Sequence, residues 1–200
     1  YADLVNRICG VQLEKKYTRT DWSRRPLSEG ELDYAMDDVR YLIQIYQSLT
    51  TDLIQQIEAS YVRAGAVRNI RLHGDCHPGN MLARDDAFHL VDLDDCRMGP
   101  SVQDIWMMLA GERHERLGQL SELVDGYSEF HDFAPRELPL IEALRALRLM
   151  HYSAWLARRW DDPAFPMSFP WFGTERYWGD QVLILREQMS ALQEEPLKLF

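Results

Sequence analysis

No apolar run in this sequence approaches the roughly 20 residues needed to cross a bilayer, and no secretory signal pattern opens it. A membrane partner is therefore not expected. Cysteine is scarce: Cys9, Cys76 and Cys96 are an odd set that gives no disulfide framework, and a reducing cytoplasm is the expected compartment. No Cys/His spacing suits zinc. Positive charge is short too. With 22 basic against 32 acidic residues and a net charge of −10, the chain lacks the surface of a general nucleic-acid binder. Repeats and low-complexity tracts are absent. The chain opens on Tyr1 in mid-pattern, without an initiator methionine, and reads as a fragment. What is present is 200 residues, 46% of them apolar, enough for one globular domain with a real core or two small ones. The charge is uneven: residues 1–50 hold seven basic and eight acidic side chains, and the other 150 hold fifteen and twenty-four.

The densest chemistry lies between Leu72 and Asp95, LHGDCHPGNMLARDDAFHLVDLDD. Asn80 follows Asp75 by five residues and Asp92 follows Asn80 by twelve. An aspartate, an asparagine and a second aspartate in this order suit phosphoryl transfer: one carboxylate accepts a hydroxyl proton, while an amide oxygen and the other carboxylate hold Mg²⁺ on nucleotide phosphates. Pro78-Gly79 is turn chemistry. Asn80 to Ala83 reads as a short strand, Asp85-Asp86 turns it, and Phe88 to Asp92 returns as a second strand. Such a hairpin carries Asn80 and Asp92 to the same edge.

The order H-G-D-x-x-x-x-N followed by V-D-L-D resembles the aminoglycoside phosphotransferase and choline kinase-like branch of the protein-kinase fold. Val91 to Asp95, Gly99-Pro-Ser-Val-Gln-Asp104-Ile-Trp, Leu156-Ala-Arg-Arg-Trp160 and Asp162-Pro-Ala-Phe-Pro166 look like the bacterial stress response kinase A group. The resemblance covers residues from about 51 to the end. It implies an ATP- and Mg²⁺-dependent phosphotransferase acting on serine or threonine, with Asp75 as base or aligner of the acceptor hydroxyl, Asn80 and Asp92 as Mg²⁺ ligands, and His73 holding the loop. Asp104 is implied to brace that loop by accepting backbone N–H bonds; a plain helix-dipole carboxylate is the alternative. His77 defaults to a surface histidine. Asp94 and Asp95 are candidates for a second metal or for pairing with Arg97; Cys76 and Cys96 are expected as small buried hydrophobes, with a redox role as the alternative.

Upstream the character differs. Leu4, Val5 and Ile8 mark a short helix closed by Gly10. The basic, aromatic run Lys15 to Arg25 reads as a solvated loop pinned by Trp22, with a nucleic-acid strip as the alternative. Ser28 and Glu31 form a capping box. Leu32, Ala35, Met36, Val39, Leu42, Ile43, Tyr46 and Leu49 then recur at helical spacing, with Tyr34 and Asp38 one turn apart. With no Gly or Pro in the way after Gly30, this helix is expected to run from about 29 to 63. Leu13-Glu14, Arg19-Thr-Asp-Trp22, Arg25-Pro-Leu-Ser28 and Tyr34-Ala-Met-Asp-Asp38 resemble the end of the ribonuclease D exonuclease domain, whose Y-x-x-x-D motif implies a metal-binding Asp38 and a water-orienting Tyr34. The other carboxylates of that two-metal chemistry have no counterpart here, so the pair is expected to be vestigial.

The expected architecture is mainly α with a small β-hairpin: a nuclease-like helical segment over residues 1–49, then a protein-kinase-like C-lobe over 50–200, as an apparent chimera. Helices are expected from Pro100-Ser101 to Gly111, over 115–130, over 136–160 (core Leu140, Ala143, Leu144, Leu147, Met150, Ala154 and Leu156, with Arg145, Arg148, Arg158 and Arg159 around it) and over 174–193. The aromatic stretch Phe165 to Gly173 either lines an acceptor pocket or packs as a loop. A kinase also needs a glycine-rich strand-turn-strand over the phosphates and a strand-borne lysine. Residues 1–50 show neither, and the only lysines are Lys15, Lys16 and Lys198. The chain alone is therefore expected to have little activity, with a protein or small-molecule hydroxyl as the acceptor. A 3′–5′ exoribonuclease fragment or RNA-binding module, and an inactive fusion, are the alternatives.

Overall fold

A computed structural model describes the whole chain apart from Glu14, Lys15, Thr18, Asp86 and Phe200, and apart from the side chain of Asp38. Eight α-helices and four short strands are found among the described residues: α1 (Ala2–Cys9), α2 (Glu29–Arg40), α3 (Leu42–Ala64), β1 (Ile70–Leu72), β2 (Met81–Arg84), β3 (Ala87–Leu90), β4 (Arg97–Gly99), α4 (Val102–Trp106), α5 (Arg113–Ser128), α6 (Leu140–Arg158), α7 (Ala164–Ser168) and α8 (Glu175–Gln193). None of these helices is long and apolar enough to cross a membrane. Two compact units divide the chain, 1–54 with 149–190 and 55–148 with 191–200.

The first unit contains α1, α2 and the start of α3. Gly10 closes α1 in the left-handed conformation with φ 68°, which a glycine adopts without a Cβ penalty. Ser28 and Glu31 form the expected capping box at α2: the Ser28 Oγ accepts from the Glu31 N–H and Glu31 accepts from the Ser28 N–H at 2.7 Å. The helix predicted over 29–63 is interrupted at Tyr41, between α2 and α3. The break resets the phase of the apolar stripe. Leu42, Ile45, Leu49, Leu53 and Ile57 are buried at spacings of three and four, whereas Ile43 is 71% exposed and Leu32 and Met36 are about half exposed. Each leucine so buried contributes about 1.5–3 kcal/mol relative to an exposed one.

Residues 1–54 pack in this unit with 149–190. The Tyr46 ring meets Trp178 edge-on at 5.2 Å, and burial pushes the Tyr46 and Tyr177 hydroxyls above the usual phenol range. The aromatic stretch after Pro163 opens as α7 and then turns. Phe165 and Phe169 lie against Trp155, and Phe172 is buried among Trp160, Tyr177 and Trp178. Leu147 and Ala154, expected in the core of α6, are exposed; Ile141, Ala146 and Ser153 are buried instead.

The second unit is built on Val102, Ile105, Leu120, Leu140, Ile141 and Leu144. Its strands form two antiparallel pairs, β1 with β4 and β2 with β3. The first pair, Ile70 opposite Gly99 through Leu72 opposite Arg97, is too short to show alternation in the sequence. The helix expected to reach Gly111 stops at Trp106. Its first turn is capped from far along the chain: the buried Glu137 carboxylate accepts from the Val102 N–H at 3.0 Å and from the Ser101 hydroxyl at 2.8 Å.

Candidate active site

β1 runs directly into His73-Gly74-Asp75. The backbone bends there at Gly74, whose φ is 87°, and a Cβ at this position would collide with the carbonyl of Asp95. Only glycine fits both the left-handed backbone and that close approach. The bend is then held by Asp104, in the first turn of α4. Its carboxylate accepts from the His73 N–H at 2.7 Å and from the Gly74 N–H at 2.9 Å. These are charge-assisted hydrogen bonds, stronger than neutral ones.

His73 is 7% exposed and ties the loop to the far strand. Its Nε2 lies 2.9 Å from the Val91 carbonyl and its Nδ1 accepts from the Asp75 N–H at 3.4 Å. A carbonyl can only accept, so the proton sits on Nε2. His77 caps the 3-10 turn Pro78–Asn80, its Nδ1 accepting from the Gly79 N–H at 3.0 Å.

That turn delivers Asn80 to the start of β2. The hairpin pairs Met81 with Leu90, and the Val91 N–H continues the ladder to the Asn80 carbonyl at 3.0 Å. Asn80 therefore stands opposite Val91, with Asp92 the next residue out. The turn of the hairpin contains Asp85, at φ 51°; its predicted partner Asp86 lies outside the described residues. The Asn80 Nδ2 donates to the Asp75 carbonyl at 3.0 Å and to the Asp75 Oδ2 at 3.3 Å. With Nδ2 engaged, the amide oxygen is the atom left for a cation. Asp92 is exposed and left-handed, with φ 61° and ψ 65°. Its carboxylate has no hydrogen bond or ion pair among the described residues. An uncommitted carboxylate and an uncommitted amide oxygen at one hairpin end are hard oxygen ligands of the kind Mg²⁺ takes. Among the described residues no group of three or more His, Cys, Asp or Glu suits a metal ion.

Asp75 is more confined. Its side chain is 17% exposed, and its Oδ1 lies 2.6 Å from Nη1 of Arg148 on α6. The guanidinium N–H is not aimed at that oxygen, which has no hydrogen-bond partner. The contact is therefore an ion pair by distance and not a directed hydrogen bond. Nε2 of His77 is 3.6 Å from Oδ2. Burial, with Asp104 and Asp75 nearby, pushes the Cys76 thiol up. Asp95 pairs with Arg97 at 2.8 Å. Nothing in the sequence singles out Arg148 or Glu137, which join the site through tertiary packing.

Tyr34 and Asp38 belong to the other unit. The Tyr34 ring is stacked on Trp22 at 5.8 Å and meets Tyr17 edge-on at 5.9 Å, so Trp22, half-buried, packs against α2. The side chain of Asp38 lies outside the described residues.

The sequence matches the phosphotransferase enzyme family over residues 12–147. It is 50% identical over 150 residues to stress response kinase A of Escherichia coli K12, covering 75% of this chain and 45% of that protein. It is 52% identical over 130 residues to the serine/threonine protein kinase RdoA of Salmonella typhimurium, covering 65% of this chain and 39% of that protein. The chain thus spans less than half the length of these relatives. Stress response kinase A of Shigella flexneri is 48% identical over 150 residues. These matches agree with the resemblance carried by the H-G-D-x-x-x-x-N and V-D-L-D motifs, and on them the chain belongs to the phosphotransferase enzyme family.

Proposed function

We propose that this chain carries the catalytic half of an ATP- and Mg²⁺-dependent phosphotransferase, with Asp75, Asn80 and Asp92 as its working residues. The observation that carries this reading is the hairpin end itself: Asn80 bonds Asp75 through Nδ2, while Asp92, next to the Asn80–Val91 pair, stays free of other commitments among the described residues. Asp75 accepts the proton of the acceptor hydroxyl as its oxygen attacks the terminal phosphorus and the nucleoside diphosphate leaves. Asn80 and Asp92 would hold Mg²⁺, which supplies charge neutralisation on the phosphates. Asp104, Gly74 and His73 keep the loop in place so that Asp75 need not reorganise. The Salmonella relative is named a serine/threonine protein kinase, and we carry that acceptor class, a protein hydroxyl, to this chain; a small-molecule hydroxyl is the competing class. Three free cysteines suit a reducing cytoplasm.

These 200 residues contain no G-x-G-x-x-G and no lysine between Lys16 and Lys198, so ATP finds few phosphate contacts here and turnover by this chain alone should be slow. The test is transfer of labelled phosphate from ATP to a serine-containing protein substrate. Asp75→Ala and Asp92→Ala should each abolish whatever transfer the parent shows. Transfer undiminished in either variant would refute the assignment, and robust turnover by the parent would refute the expectation of weak activity.

A second reading concerns residues 1–49 as a ribonuclease D-like segment fused to the phosphotransferase. The Tyr34-to-Asp38 motif favours it; the family match, which begins at residue 12, weighs against it. In either case we assign the segment no nuclease role, because two-metal chemistry needs several carboxylates and the motif supplies Asp38 alone. Binding or metal-dependent trimming of a short RNA, abolished by Asp38→Asn, would overturn that assignment.

A further inference from the structure

The contact that the phosphotransfer reading leaves unexplained is Arg148 on Asp75. A proton acceptor needs one carboxylate oxygen open to the incoming hydroxyl. Oδ2 already accepts from Asn80 at 3.3 Å and has Nε2 of His77 3.6 Å away; the oxygen with no hydrogen bond is Oδ1, which is closed to solvent and lies 2.6 Å from the guanidinium. As the site stands, an acceptor cannot reach it without displacing Arg148. The pair is open to exchange from the arginine side: its N–H is not directed at the oxygen and Arg148 is 45% exposed. Arg145, three residues earlier on α6, is differently placed, with its guanidinium over the Trp106 ring at 5.4 Å and its Nε 3.8 Å from Glu142. Among the described residues Asp75 is the one partner of Arg148.

We propose that Arg148 is the specificity-determining cation of the acceptor site: it covers Oδ1 of Asp75 until a serine or threonine hydroxyl flanked by an anion exchanges with it. The hydroxyl then takes the place of the guanidinium on Oδ1, and the flanking carboxylate or phosphate takes the place of Asp75 on Arg148. An acceptor without the anion leaves Arg148 unpaired or Oδ1 still covered, and is disfavoured on both counts. A protein of net charge −10 repels acidic peptides at long range, so a local cation is what their recognition requires. The inference rests on Asp75 being the proton acceptor.

The test is binding of labelled peptides to the full 200-residue chain, read by fluorescence anisotropy without nucleotide or metal. Three probes share one serine, followed by aspartate, phosphoserine or lysine. The parent should bind both anionic peptides about tenfold more tightly than the lysine peptide, as expected for a charge pair half out of water. If the phosphoserine peptide alone is preferred, the anion is a phosphate; if both are, a carboxylate suffices. Arg148→Gln should level the anionic and lysine peptides, and Arg148→Lys should restore part of the difference. Asp75→Asn should tighten the anionic peptides severalfold, because it removes the carboxylate that competes for Arg148; a purely structural Arg148 predicts no such gain. Equal binding of all three peptides by the parent, or an anionic preference unchanged in Arg148→Gln, would overturn the proposal. Because this measurement needs neither nucleotide nor Mg²⁺, its failure is separable from failure of the phosphotransfer assignment, which the labelled-ATP experiment reads.

Discussion

Asp75 and Asp92 are the same residue type at the two sides of one hairpin end, in opposite circumstances. Asp75 is enclosed: Arg148, Asn80 and His77 surround its carboxylate, and the backbone beside it is fixed by Asp104. Asp92 is exposed on a left-handed backbone with its carboxylate uncommitted among the described residues. The difference matches the two jobs proposed for them. A proton acceptor is effective when its surroundings are organised beforehand, whereas a cation ligand has to keep its oxygens available. An enclosed residue costs stability when removed, and an open one does not.

That contrast is sharpest where enclosure is apolar. In α3, Leu42 is 5% exposed and its neighbour Ile43 is 71% exposed. Leu42→Ala should cost roughly 2–5 kcal/mol, and Ile43→Ala no more than about 0.5 kcal/mol, in chemical denaturation of the full chain. Equal costs would mean that the break at Tyr41 does not set the phase of the stripe. On the Asp75 side, Asp104→Ala removes two charge-assisted hydrogen bonds from the loop and should cost about 3 kcal/mol. Asp92→Asn on the other side, which keeps a residue type that tolerates the left-handed backbone, should stay within about 0.5 kcal/mol. A comparable loss in Asp92→Asn would show that this carboxylate holds structure after all.

The two cysteines report on the same contrast more gently. Cys76 follows Asp75 and has its thiol pushed up by burial and by the carboxylates beside it, while Cys96 is exposed. A raised pKa leaves less thiolate at a given pH near 8, so iodoacetamide should modify Cys76 severalfold more slowly than Cys96. The thiolate fraction of Cys76 grows as the pH is raised toward its own pKa, so the gap should narrow. Faster modification of Cys76 would mean the Asp75 loop is open.

The parts of the site legible in the sequence were those fixed by neighbouring residues. The spacing from Asp75 to Asn80 and on to Asp92, read with the Pro78-Gly79 and Asp85-Asp86 turn signals, implied a hairpin with Asn80 and Asp92 at one end, and the register agrees. The expected bracing role of Asp104 agrees with its two backbone bonds. Arg148 and Glu137 were not legible, because a helix surface with several arginines and glutamates does not say which one tertiary packing will carry to Asp75 or to the start of α4. Nor was the break at Tyr41, where no glycine or proline marks the chain; an unbroken helical spacing places Ile43 inside, whereas the break turns Ile45 inward. The pair of β1 with β4 is three residues deep, too short for a period of two to appear.

The central claim, that Asn80 and Asp92 form the cation end of a phosphotransferase site, is tested most directly by Mn²⁺ standing in for Mg²⁺. The measurement is the relaxation enhancement of water protons by Mn²⁺ with ADP and the full chain. The parent and Asp75→Asn should both show an enhancement, and Asp92→Asn should show none. An enhancement that survives in Asp92→Asn, or that is absent from the parent, would contradict the account.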